Sequence, residues 1–341
     1  CNSCPLGCGG ICSMPNDFKE THKPEYESIL ALGGLCMNEN MDSIFYLNEI
    51  LNRAGMDTIS AGGTVAFAIE CYEKGIITKE QTNGLELNWG NTGAIITLIE
   101  KMIKREGIGD ILADGTARAV ERLSSSQAKE YAITAGAQEL PMHDGRNDPG
   151  FNVHYSVEAS PGKHTTGAQL YYEMFQLHKE IPSLPRVTSF SLYHKSKKYI
   201  ANADKAIIAA TCSKFMNVVN SVGMCLFGTF IGIKRIPVFA QINAVTGWRK
   251  SAEEYMEIGA SIQTLKQAFN VKHSIDPISF RVHPRAEGLP TLKAGANKGR
   301  SADMGKMMSD YWHVFGWDET TGKPTPEDIR KIEADCSDGR S

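Results

Sequence analysis

Apolar residues recur along this chain mostly at helical spacing. Ile44, Leu47, Leu51 and Ala54 fall on one face, and Gly55 follows as a C-terminal cap. Thr64 opens a second run, with Val65, Ala68, Ile69 and Tyr72 on one side and Gly75 as the stop. A third extends from about Thr92 to Arg105, turning Ile95, Leu98, Ile99 and Met102 inward ahead of Gly107, and a fourth follows Gly115 through Ala119 and Leu123. Ser124, Ser125, Ser126 and Gln127 form a polar joint, which predicts two domains, 1–130 and 131–341. Helical periodicity returns around 168–180, 197–220 and 251–270. Residues 1–24, 135–168 and 271–303 are rich in Gly, Pro and polar residues and read as loops. Alternating strand patterns and internal repeats are absent, so the expected fold class is mostly α, multihelical, in two domains.

Composition adds constraints rather than a function. A hydrophobic content of 42% and a charged content of 22% are ordinary for a globular protein. A net charge of -3 gives no electrostatic footprint for nucleic acid. No apolar run is long enough to span a bilayer. The chain opens on Cys1 with no signal peptide, which reads as a piece of a longer, cytoplasmic protein. Its nine cysteines are odd in number and unevenly placed, which fits metal ligation in a reducing compartment better than a disulfide framework.

The chemistry begins at the start of the chain. Cys1-Asn2-Ser3-Cys4-Pro5-Leu6-Gly7-Cys8 is a C-x2-C-x3-C run. Three thiolates this close can hold three corners of a [4Fe-4S] cluster, with a fourth supplied from afar. A structural zinc site is the bland alternative, but it normally carries a second paired motif, and none is present. Cys12, Cys36, Cys71, Cys212, Cys225 and Cys336 are the candidates for the fourth ligand, and spacing does not choose among them. A phosphate-loop reading of Gly295-Ala296-Asn297-Lys298-Gly299 fails on spacing.

The opening run resembles the cluster motif of the aldehyde ferredoxin oxidoreductase family. So do, in family order, Pro24-Glu25-Tyr26-Glu27, Ala31-Leu32-Gly33, Gly55-Met56-Asp57-Thr58-Ile59-Ser60 with Gly62, Arg105-Glu106-Gly107-Ile108-Gly109-Asp110, and Leu112-Ala113-Asp114-Gly115. Gly316-Trp317-Asp318, Gly322, Pro324 and Thr325 are similar to its C-terminal signature. Asn220-Ser221-Val222-Gly223-Met224-Cys225 resembles the family's Asp-x-x-Gly-Leu-Cys, with Asn for Asp and Met for Leu. The resemblance implies the family's two C-terminal helical domains, without the N-terminal β-rich domain that helps hold the pterin.

It also implies cofactors and roles. Expected cofactors are tungsten, or molybdenum, held by two pterins, and one [4Fe-4S] cluster; Mg is a further candidate ion. The resemblance places Cys1, Cys4, Cys8 and Cys225 on the cluster. Asp57 resembles the pterin-binding aspartate, although from the residues alone it is the N-cap of the run behind it. Asn220 and the backbone around Met224 would meet the second pterin. Glu139-Leu140-Pro141-Met142-His143-Asp144 and Ser160-Pro161-Gly162-Lys163-His164-Thr165 resemble the substrate-facing loop. His164 would sit by the metal there, with Glu25 or Glu27 as its acidic counterpart. Cys36 is either a buried core thiol or, as in the branch acting on benzoyl-coenzyme A, a tungsten ligand.

The function expected is oxidation of an aldehyde to a carboxylic acid, in anaerobic metabolism, with electrons leaving through the cluster to ferredoxin or an iron–sulfur subunit of a homo- or hetero-oligomer. One rival keeps the cofactors and reduces an aryl- or acyl-coenzyme A; another, of a different class, is an iron–sulfur electron carrier.

Overall fold

The computed structural model describes residues 4, 6–14, 18–186, 199–230 and 237–330. The chain is mostly helical, and it divides into two compact units, 1–142 and 143–341.

The first unit is built around one apolar helix. An antiparallel hairpin, β1 (Ile11–Met14) and β2 (Phe18–His22), comes first. It lies where the sequence reads as loop, because only Met14 and Thr21 of its residues are buried, too few to produce an alternating signal. Six helices follow: α1 (Tyr26–Leu32), α2 (Met41–Ala54), α3 (Thr58–Glu73), α4 (Thr92–Lys104), α5 (Ile108–Leu112) and α6 (Thr116–Leu123). Side-chain caps set the starts of α2, α3 and α4: Asn40 accepts from the Ser43 N–H, Asp57 from Ser60 and Asn91 from Ala94. Helix α3 therefore starts a turn and a half before the expected Thr64. Leu47, Leu51, Val65, Ile69, Leu98 and Ile99 interlock in the core, each contributing about 1.5–3 kcal/mol on burial. Helices α1 and α3 meet at Gly62, where a Cβ would lie 2.5 Å from the Ala31 carbonyl oxygen.

The first unit runs past the polar joint at 124–127. A two-stranded hairpin, β3 (Thr134–Ala135) and β4 (Gln138–Glu139), folds back onto it. The buried Glu139 carboxylate accepts from the Thr116 N–H (2.6 Å) at the start of α6, and Gln138 Nε2 donates to Ser60 Oγ. The break in compactness thus falls after Met142 rather than near 130.

The second unit holds α7 (Pro149–Val157), α8 (Gln169–Phe175), α9 (Ala203–Ser221), α10 (Leu226–Phe230), α11 (Val238–Thr246), α12 (Ala252–Lys272), α13 (Pro284–Glu287) and α14 (Met304–Val314). The long helices α9 and α12 form its spine and touch at Gly259, where a Cβ would stand 2.1 Å from the Lys214 carbonyl oxygen. A reciprocal cap, Ser251 with Glu254, starts α12. Helix α14 packs on α9 and α7, and α8 packs on α9. Helix α7 lies inside the stretch expected to be a long loop. It is buried on all sides, so it has no amphipathic period to read; its signal is Asp148 as cap followed by Pro149 at the first helical position. No helix among the described residues is long and apolar enough to cross a membrane.

Candidate functional site

In the first unit the two candidate carboxylates part company. Glu25 sits in extended backbone just before α1 and is exposed, whereas Glu27, in the first turn of α1, is only 4% exposed. Glu27 Oε2 accepts the Met142 N–H at 2.7 Å, which ties α1 to the end of this unit.

Asp57 is exposed, and its Oδ1 accepts the Ser60 N–H at 2.7 Å. It is a helix cap with a solvent-facing carboxylate, and a cap leaves further acceptor lone pairs for a ligand's N–H groups. Cys36 is fully buried and donates to the carbonyl oxygens of Ala31 (3.4 Å) and Gly62 (3.6 Å). Burial pushes its thiol up to about 12. It thus sits against both α1 and α3.

Cys4 and Cys8 are free thiols, Cys4 half-buried and Cys8 exposed. Between them Gly7 takes a positive φ of 59°, a left-handed conformation that turns the backbone sharply. Lys23 Nζ donates to the Cys8 carbonyl (2.8 Å) and anchors the loop to the hairpin. Cys1 and Cys336 lie outside the described residues. Cys4 and Cys8 are soft, unpaired thiols, the donor type that an iron–sulfur cluster takes.

In the second unit, α9 ends at Ser221, and Gly223 (φ 72°) reverses the chain so that Met224 N–H caps the Val219 carbonyl (3.0 Å). Asn220 is exposed, Met224 half-buried, and Cys225 is a free, exposed thiol just before α10. Ligand-type groups therefore cluster on one turn.

The other constellation of this unit surrounds α7. The His143 ring stacks on Phe151 (4.4 Å between centroids) and on His164 (5.0 Å). Tyr155, one turn after Phe151, donates to the His143 carbonyl oxygen at 3.1 Å. His164 is half-buried, in the segment between α7 and α8, and two aromatic residues of α7 thus hold its stacking partner. His143 belongs to the block that resembles the substrate-facing loop, whereas the buried pair His154 and Glu158 lies outside every such block; its one signal in the sequence is a spacing of one helical turn, from α7 to the residue that caps it.

Residues 1–333 match the family model described as aldehyde ferredoxin oxidoreductase, domains 2 and 3. A tungsten-containing aldehyde ferredoxin oxidoreductase of Pyrococcus abyssi is 32% identical over 335 residues, covering 97% of this chain and 52% of that protein. The enzyme of the same name from Pyrococcus furiosus is 32% identical over 333 residues, again with 97% and 52% covered. An aliphatic sulfonate oxidoreductase, WOR-like subunit, of Pyrococcus furiosus is 26% identical over 345 residues. The chain spans about half the length of the curated relatives it matches. In fold it is similar to the active-site complex BamBC of benzoyl coenzyme A reductase bound to 1,5-dienoyl-CoA, with a TM-score of 0.74, 19% identity, and coverage of 100% of this chain and 54% of that one.

Proposed function

The chain belongs to the aldehyde ferredoxin oxidoreductase family, matching its domains 2 and 3, and on that premise we propose that the whole protein oxidises an aldehyde to a carboxylic acid with tungsten-pterin and one [4Fe-4S] cluster. The observation that carries the reading is the match along residues 1–333, at 32% identity, to enzymes named for tungsten and for aldehydes.

The balance of the reaction is aldehyde plus water to acid, with two electrons and two protons released. When bound, tungsten-pterin would supply the two-electron acceptor, and the cluster a route for the electrons to ferredoxin or an iron–sulfur subunit. Asp57 and Asn220 would hold pterin edges, and Cys1, Cys4, Cys8 and Cys225 the cluster. What remains for this chain is to position the oxygen and move the protons. His164 donates a hydrogen bond to the carbonyl oxygen and favours the charge that grows there as water adds. Glu27, the buried carboxylate of its block, takes the proton from the attacking water; Glu25, exposed, is the weaker candidate.

A coenzyme A reductase reading would enlist Cys36 as a tungsten ligand. A thiol already donating to two backbone carbonyls within the core supports a packing role instead. His164→Ala in the full-length enzyme is expected to lower turnover of aldehydes by about 100-fold, with tungsten and iron content unchanged. His313→Ala, at an exposed histidine paired with Glu319, is the control. Near-normal turnover in His164→Ala would remove His164 from the chemistry.

A further inference from the structure

The residue that caps the end of α7, Glu158, places a charge where charge is expensive. Glu158 is 1% exposed, and a buried carboxylate persists only with several partners. It has them from three helices. His154 Nδ1 lies 3.1 Å from Oε1, Ser213 Oγ donates to the same oxygen, and Gln263 Nε2 donates to Oε2 at 2.9 Å. The network continues: Tyr311 OH donates to Ser213 Oγ (2.9 Å), and Asn217 Nδ2 to Gln263 Oε1 (2.9 Å). Burial alone raises the Glu158 carboxyl, but the hydrogen bond and charge attraction from His154, with help from Ser213 and Lys266, outweigh it and hold the group below its usual range. A carboxylate offers only acceptors, so Nδ1 carries the hydrogen of the His154 contact; Nε2, also buried, has no hydrogen-bond partner among the described residues.

Stability does not account for such an arrangement, since apolar side chains of similar volume commonly do as well or better. Its location is more informative. Glu158 immediately precedes residues 159–167, the segment that carries His164. Both ends of that segment are fastened by this buried layer. At the start, Asn270 Nδ2 donates to the Ala159 carbonyl (2.8 Å), and the Gly162 N–H returns to the Tyr155 carbonyl (3.1 Å). At the finish, Gly167 packs against the His154 ring, where a Cβ would come within 2.4 Å of Cε1, and Cys212 Sγ donates to the Ala168 carbonyl (3.3 Å). One face of α7 thus grips the segment through His154 and Glu158, while Phe151 and Tyr155 hold His143, the ring on which His164 stacks.

We infer that Glu158 is a positioning residue: with His154 and Asn270 it clamps residues 159–167 so that His164 meets the substrate oxygen in one orientation. The inference rests on the proposed role of His164. Its test uses the full-length enzyme with its cofactors and three variants, Glu158→Ala, Glu158→Gln and Asn270→Ala, the last removing a tether without touching the buried charge. Amide hydrogen exchange is read at residues 160–166, and steady-state kinetics with an aldehyde beside it. Glu158→Ala and Asn270→Ala are expected to speed exchange at 160–166 by about tenfold and to lower kcat by about tenfold, with KM within about twofold. Glu158→Gln, which keeps the size and one acceptor but turns an NH2 group toward a donor, is expected to change both in the same direction by less than Glu158→Ala. If Glu158→Ala does not fold, Asn270→Ala and Glu158→Gln carry the test. Unchanged exchange at 160–166 in the folded variants overturns the clamp. Faster exchange with unchanged kcat overturns the catalytic reading of His164, and with it the positioning role.

Discussion

Two carboxylates in one short block, Glu25 and Glu27, show how far residue type alone goes. Both suit proton transfer, and nothing in their spacing ranks them. Backbone decides: Glu25 is spent in extended chain before α1, while the first turn of α1 carries Glu27 inward to the Met142 amide. Asp57 shows the reverse, since its part as a helix cap was legible from the Asp-Thr-Ile-Ser order. The cysteines are a third case, because spacing defines a cluster of three and leaves the fourth ligand open. Cys225 stands free and exposed on a glycine turn, whereas Cys12 is half-buried in β1. Cys225→Ser is expected to disturb the cluster's paramagnetic signal in the reduced full-length enzyme, and Cys12→Ser to leave it intact. Equal signals from the two variants would break the assignment of Cys225.

At the scale of the element, legibility follows one-sided burial. Helices α2 and α4 each bury one stripe and end on a left-handed residue, Gly55 and Arg105, so their periodicity was plain. Helix α7 buries every residue and left only its cap to read; the β1–β2 hairpin buries too little to alternate. The hairpin is fastened by a polar bond instead. Thr21 Oγ1 donates to Glu49 Oε2 (2.6 Å), and Arg53 Nε to Oε1 (2.7 Å), joining β2 to α2. The Thr21 hydrogen bond leads in lowering the Glu49 carboxyl below its ordinary 4.5, against burial and with Arg53 adding to it. A carboxyl lowered on folding contributes stability that is complete above the unfolded value and is lost as pH falls through the folded one. Thr21→Val should therefore cost about 1.5 kcal/mol at neutral pH, the range for a hydrogen bond to a charged group. The gap to the parent should narrow as pH drops below about 4.5 in urea titrations. A gap independent of pH would mean that Thr21 acts through packing alone.

On the scale of the whole molecule, the chain is two helical units that together span about half the length of their relatives. Its mostly helical class was readable throughout, while the boundary was not, because the β3–β4 hairpin returns past the Ser-rich joint to cap α6 through Glu139. The division of chemistry follows the division of the chain. Cys4, Cys8, Glu27 and Asp57 belong to the first unit; His164, Asn220 and Cys225 belong to the second. The proposed enzyme therefore requires both. Tungsten-dependent aldehyde oxidation is tested by metal analysis of the anaerobically purified full-length protein together with turnover of an aldehyde and an aryl-coenzyme A thioester. The expected result is about one tungsten and about four irons per chain, as one [4Fe-4S] cluster requires, with electrons delivered to a dye only when aldehyde is present. A protein without tungsten, or one that ignores aldehydes and reduces the thioester in a reaction abolished by Cys36→Ala, would contradict it.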